Sequence, residues 1–229
     1  MKPRLVSILI PAFNEEENIK KVINDTLKLQ KQIPLEIIVI SDGSTDRTAI
    51  SAREAGAHKV IENKKNLGKG GAFKKGLQEA SGEYLIQIDA DYQFLPREIP
   101  RFVKELTNGA DIVLGTRYEA GSSREEESVN YVRRLGSYFL SFFTSVAAGV
   151  IVTDVMAGFK GFQTKSLKSI PFMANDFGYE AEMVIRFAKK DKKIVNVPIS
   201  YRRRISGKSN VHTFQDGFRV LWQIIISSF

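Results

Sequence analysis

Residues 5–17, LVSILIPAFNEEE, and residues 36–48, EIIVISDGSTDRT, follow one pattern: a run of almost wholly aliphatic residues that stops in small and acidic residues. An aliphatic run without alternation is a strand buried on both faces, which is how strands of a parallel sheet read. Pro11 is expected to end the first strand over 5–10. A helix over 15–30 follows, with Ile19, Val22, Ile23 and Leu27 at spacings of three and four. Working outward, strands are predicted at 36–40, 59–61, 83–89 and 111–115, and helices at 45–55, 70–80 and 96–106. Strands alternating with helices imply an α/β fold: a mostly parallel sheet flanked by helices. In such a sheet functional groups gather beyond the carboxyl ends of the strands. Pro11 to Glu15, Ser41-Asp42, Asp89-Ala90-Asp91 and Thr116-Arg117 all fall there.

The second half is less regular. A charged loop is expected over 121–130, then a low-charge helical stretch over 135–153. Ser137, Ser141, Thr144 and Ser145 dilute that stretch, so it reads as a buried or membrane-surface helix rather than a span. A turn into a strand over 154–162, a helix over 178–189 and a strand over 194–201 come next. A basic loop over 202–209 leads to a C-terminal amphipathic helix over 211–229, set apart from a main domain over 1–210. In that tail Phe214, Phe218, Leu221, Trp222, Ile225 and Phe229 share one face. Such a stripe either packs on the core or lies in a membrane interface.

The 229 residues are 43% hydrophobic and 26% charged, a globular composition without repeats or low-complexity linkers. Cysteine is absent, which excludes disulfides, thiolate nucleophiles and cysteine-ligated zinc. The net charge of +8 favours anionic partners: phosphorylated substrates, a membrane surface or nucleic acid. A nucleic-acid module would interleave aromatics on a basic face, whereas these Lys and Arg are dispersed, so no nucleic acid is expected.

Asp89 and Asp91, two apart at a strand end, project the same way and repel unless a cation joins them. Mg²⁺ or Mn²⁺ completed by phosphate oxygens resolves that repulsion, with Gln93 as a neutral ligand; a solvated turn is the plain alternative. Asp42 is expected to be free for a base or ribose, because Ser44, Thr45 or Asp46 serves better as a helix cap. NLGKGGA, residues 66–72, is no Walker A motif, since Gly70 follows Lys69, and no GxGxxG follows the first strand. It suits an anion at a helix N-terminus or a close backbone approach. Arg117, Arg133 and Arg204 could together hold a second phosphate.

The ordered series PAFNEEENI, ISDGSTDRT, NLGKGGA, DADYQ, GTRY, RRLGS, DVMAGFKGF and RISGKSN resembles the family 2 glycosyltransferases of the GT-A (Rossmann-like) fold. It is most similar to the branch that glycosylates polyprenyl (dolichyl) phosphate with mannose or glucose. The resemblance implies that Pro11, Ala12, Phe13, Glu15, Asp42, Lys69, Asp89, Ala90 and Asp91 hold a nucleoside-diphosphate sugar. It implies Asp89, Asp91 and Gln93 as ligands of Mg²⁺ or Mn²⁺. Arg117, Arg133, Ser137 and Arg204 would receive the acceptor phosphate, and Asp154 would face the sugar, so that Asp91, Asp154 and Arg117 are the implied catalytic residues. A polyprenyl phosphate is already anionic and needs no base; direct displacement at the anomeric carbon inverts it. The donor reads as GDP-mannose, with UDP-glucose or a sugar-hydroxyl acceptor as alternatives. The stripe and the low-charge helix imply peripheral association with the cytoplasmic face of a membrane, or with a membrane partner subunit.

Overall fold

The computed structural model describes residues 4–125, 131–207 and 212–229. Its centre is β1 (Val6–Ala12) flanked by β2 (Leu35–Asp42) and β4 (Tyr84–Gln87), all buried throughout or nearly so. With β3 (Lys59–Asn63), β5 (Ile112–Thr116), β7 (Lys160–Gln163) and β8 (Ile194–Pro198) they form one sheet in the order β3-β2-β1-β4-β7-β5-β8. Strand β7 runs antiparallel to both neighbours; the other pairings are parallel. β6 (Ser123–Arg124) and β9 (Ser200–Tyr201) make a separate two-stranded ladder. The edge strand β3 carries Lys59 and Glu62 on its exposed positions, which discourages further strand pairing.

Two cores follow from the alternation along the central strands. Ile8 and Ile10 face α1 (Ile19–Leu27), α2 (Thr48–Glu54) and α4 (Ile99–Thr107). Leu9, Ile38 and Ile40 face α3 (Lys69–Glu79) and α7 (Tyr179–Ala188), with Leu140, Leu167 and Val220 in the same cluster. Those last three belong to α5 (Tyr131–Ala148), α6 (Thr164–Lys168) and α8 (Thr213–Ser228). Gly76 lets α3 lie close on the sheet: a Cβ there would sit 2.0 Å from Leu9 Cδ1.

Several boundaries differ from the sequence reading. β1 continues through Pro11 to Ala12, because β4 pairs with it only as far as Leu9. Beyond that point no donor is needed on the β4 side, and proline is tolerated. The helix expected over 15–30 is α1 followed by a 3₁₀ turn at Lys28–Lys31. The strand over 194–201 is two strands, β8 and β9, and the low-charge helix starts at Tyr131 and ends at Ala148. Parts of the 121–130 and 202–209 loops and the 210/211 boundary lie outside the described residues. Among the described residues no helix is long and apolar enough to cross a membrane.

Most of the stripe on α8 is not core, although half-buried Leu221 packs against it. Phe214, Phe218 and Trp222 are 84%, 71% and 57% exposed, while Asp216, Val220, Ile224 and Ser227 on the opposite face are buried. Neighbouring α5 exposes Tyr138, Phe139, Phe142 and Phe143.

Candidate active site

The carboxyl ends of β1, β2, β4 and β5 open into a cleft of about 1020 Å³. Pro11, Ala12, Phe13, Glu15, Asp42, Lys69, Asp89, Ala90, Asp91, Gln93, Arg117, Arg133, Ser137 and Arg204 all line it. Asp154 does not.

Asp89 is seated by Gly158, where a Cβ would come within 2.1–2.4 Å of its carboxylate. Its Oδ1 meets Lys69 Nζ at 2.8 Å. Asp91 Oδ1 accepts from the Gln93 backbone N at 3.1 Å, and Oδ2 meets Arg204 Nη2 at 2.9 Å. Arg204 Nη1 also holds Glu15 Oε1 at 2.8 Å. Arg204 therefore stands on the carboxylates of Glu15 and Asp91. Burial pushes both aspartates above the usual carboxylate range in spite of Lys69 and Arg204, and Asp91 adds to the rise at Asp89. Two hard oxygen donors crowded together suit a divalent ion. Among the described residues no cluster of three or more His, Cys, Asp or Glu is placed to hold a metal, so most of the ion's oxygens would come from substrate. Gln93 donates its Nε2 to Arg202 O at 2.9 Å, which fixes its amide.

Asp42 is not free, contrary to expectation. Its Oδ1 accepts from Asn63 Nδ2 at 2.7 Å and Leu67 N at 3.0 Å, and Oδ2 from Leu67 N at 3.1 Å, pinning the 64–68 loop. In NLGKGGA the glycines serve close backbone approach: Cβ atoms at Gly68 and Gly70 would lie 2.5 and 2.6 Å from carbonyl oxygens of Asn175 and Ala174. Gly71 N donates to Asn175 O at 3.0 Å.

Asp154 requires a second correction. It is fully buried and holds Arg117 rather than facing the cleft. Its Oδ2 accepts from Arg117 N at 3.1 Å and Nε at 2.6 Å, and Oδ1 from Arg117 Nη2 at 2.8 Å and Ser137 Oγ at 3.1 Å. The Arg117 guanidinium lies 5.2 Å from the Tyr118 ring and 4.9 Å from that of Tyr201. Burial opposes its charge, and the Asp154 carboxylate outweighs burial. Half-buried Arg133 donates from Nε to Thr213 Oγ1 at 3.2 Å, tying the start of α5 to that of α8.

Sequence reasoning missed Gly158, Lys160, Tyr201 and Glu180. A signal existed for two of them, since Lys160 interrupts an aromatic strand and Glu180 opens an apolar helix.

A dolichol-phosphate mannosyltransferase of Pyrococcus furiosus is 31% identical over 211 residues, spanning 90% of this chain and 59% of that protein. This chain thus spans about three fifths of that relative's length. Glycosyltransferase AglJ of Haloferax volcanii is 29% identical over 217 residues, 94% of this chain and 69% of that protein. Among solved structures, glucosyl-3-phosphoglycerate synthase of Mycobacterium tuberculosis, in complex with Mn²⁺, UDP and glucosyl-3-phosphoglycerate, superposes with a TM-score of 0.80 at 25% identity. That superposition covers 98% of this chain and 80% of the other. Residues 7–170 match the sequence profile of glycosyl transferase family 2. With the sheet order, the strand-end carboxylates and the relatives in agreement, the chain belongs to glycosyl transferase family 2.

Proposed function

We propose that the protein transfers a hexose, mannose by preference, from a nucleoside-diphosphate sugar to a polyprenyl phosphate, with inversion at the anomeric carbon. The observation that carries this reading is the lining of the cleft. One cavity brings together Asp89 and Asp91, the arginines Arg117, Arg133 and Arg204, and the exposed aromatics Phe139 of α5 and Phe214 and Phe218 of α8. A donor diphosphate, an acceptor phosphate and a lipid chain each meet matching chemistry in that lining.

Pro11, Ala12 and Phe13 form the wall against which the nucleoside lies, and Asp42 holds the loop that closes on it. Lys69 stands beside the diphosphate. Mg²⁺ or Mn²⁺ held by Asp89 and Asp91, with Gln93 beside them, would stabilise the negative charge of the departing nucleoside diphosphate. Arg117, fixed by Asp154 and Ser137, and Arg133 receive the acceptor phosphate, with Arg204 at the boundary between the two anions. The phosphate oxygen arrives ionised, so no base has to take a proton from it. Asp154, expected to face the sugar, is instead committed to Arg117 and Ser137 inside the protein, and so is not placed to be the base that an alcohol acceptor would need. That commitment supports a phosphate acceptor over a sugar hydroxyl. The exposed faces of α5 and α8 would rest on the membrane at its cytoplasmic side, where nucleotide sugars are available.

UDP-glucose is the second reading of the donor, favoured by the Mn²⁺ and UDP held in the Mycobacterium tuberculosis neighbour. Calorimetric titration with GDP and UDP, each with Mn²⁺, tests both. One of the two should bind, and Asp91→Asn should abolish that binding without changing Tm. Undiminished binding in Asp91→Asn, or in excess EDTA, would overturn the metal assignment.

A further inference from the structure

Behind the cleft, Lys69 and Asp89 continue into a chain of alternating charges whose inner members, Glu180 and Lys160, the proposed reaction does not use directly. Lys69 Nζ touches Asp89 Oδ1 at 2.8 Å and Glu180 Oε1 at 2.9 Å. The other oxygen of Glu180 pairs with Lys160 Nζ. Lys160 is fully buried and donates further to Val155 O at 2.9 Å and Ala157 O at 2.6 Å. Three acceptors meet its three N–H bonds. The turn it grips begins at Asp154, which holds Arg117, and ends at Gly158, which seats Asp89. Gln87 closes the arrangement from β4, its Nε2 lying 3.4 Å from both Gly158 O and Glu180 Oε1, with Tyr179 OH donating to its Oε1 at 2.9 Å.

A buried ion pair is a poor device for stability alone, since apolar residues of similar volume often do as well or better. Here each charge has a second duty: Glu180 also holds Lys69, which lines the cleft, and Lys160 also holds carbonyls of the turn between Asp154 and Gly158. We propose that Glu180 and Lys160 are positioning residues: Glu180 holds Lys69 against Asp89 on the donor side, and Lys160 holds the turn that carries Asp154, so the pair fixes the donor and acceptor halves of the site relative to each other. The donor half of this statement rests on the reading of Asp89 given above. Burial pushes the Glu180 carboxyl up, but Lys160 and Lys69 outweigh it and bring it down to about 2, so Glu180 stays an anchor at neutral pH rather than a base.

The test separates positioning from stability. Glu180→Gln leaves Lys160 buried without a counter-charge and should lower Tm; the charge-free pair Glu180→Gln with Lys160→Met should recover it. Binding of UDP and GDP with Mn²⁺ is measured by calorimetry in each variant. At least a tenfold loss of affinity is expected in both, including the pair that recovers Tm. In a Lys69→Met background Glu180→Gln should cost no further affinity, because its effect runs through Lys69. Lysine side-chain NMR of the ligand-free protein supplies a readout independent of nucleotide. The Lys69 ammonium signal, assigned by its loss in Lys69→Met, should shift or vanish in Glu180→Gln. Wild-type affinity in the recovered pair, an equal loss in the Lys69→Met background, or an unmoved Lys69 signal would each overturn the proposal. If Glu180→Gln does not fold, Glu180→Asp replaces it, being too short to span both lysines. If the wild-type protein binds neither nucleotide, the donor reading fails, and the Lys69 signal alone decides the positioning claim.

Discussion

Replacing Phe218 and Trp222 together by serine separates a membrane face from a packing face on one helix. Both side chains are mostly exposed, at 71% and 57%, so their removal from the folded protein costs little. Surface changes of this kind stay within about 0.5 kcal/mol. If α8 instead rests in a lipid interface, each aromatic ring leaves water there, and burying such a side chain contributes about 1.5–3 kcal/mol. Losing two therefore removes roughly 3–6 kcal/mol of partitioning energy, a hundredfold to ten-thousandfold fall in the partition coefficient. The control lies on the opposite face. Ile224 is buried against the core, and Ile224→Ala should destabilise the fold by about 2–5 kcal/mol. In a chain of this size that lowers Tm on the order of 10 °C. Flotation with vesicles containing anionic lipid, paired with calorimetric melting, reads both quantities. The double serine variant should lose flotation and keep its Tm; Ile224→Ala should lose Tm. Undiminished flotation of the double variant would refute the interfacial role of α8. A large fall in its Tm would refute the assignment of its two faces.

Other consequences follow from individual contacts. Gly158→Ala places a methyl group within 2.1–2.4 Å of the Asp89 carboxylate, so Asp89 must move; nucleotide affinity in the presence of Mn²⁺ should fall at least tenfold by calorimetry. Arg133→Ala should raise KM for a polyprenyl phosphate ten- to hundredfold, the worth of a charge-assisted contact of about 1.5–3 kcal/mol, and leave the donor KM unchanged. Glu180 is held at about 2, below its ordinary value near 4.5. Its contribution to stability is therefore complete above pH 4.5 and lost as pH falls toward 2, and the Tm gap between wild type and Glu180→Gln should close over that interval.

The first half of the fold was legible because its strands are aliphatic runs buried on both faces and its helices keep a clear apolar period. The strand ends named the cleft for the same reason: in a parallel sheet, position along the strand determines which residues meet. What escaped depends on tertiary order. Nothing local in Lys160–Gln163 says that β7 enters antiparallel between β4 and β5, and that insertion brings Lys160 beneath the site. Asp154 was read as facing the sugar because its neighbours in sequence belong to a motif. It is buried as the ion-pair partner of Arg117, which stands far away along the chain. Asp42 was read as free because caps for α2 stood nearby. Its carboxylate is instead taken by Asn63 and Leu67, contacts between β2 and the chain after β3 that spacing alone does not reveal. The tail stripe was legible as a face, but which way it points depends on Val220 and Ile224 filling the core on the other side.

The most direct test of the account is transfer itself. The protein is incubated with Mn²⁺ or Mg²⁺, labelled GDP-mannose or UDP-glucose, and in parallel a polyprenyl phosphate, the corresponding unphosphorylated polyprenol and a free sugar acceptor. The account predicts that label passes to the polyprenyl phosphate alone, with inverted anomeric configuration. Label on the polyprenol or the sugar hydroxyl, with none on the polyprenyl phosphate, would contradict it.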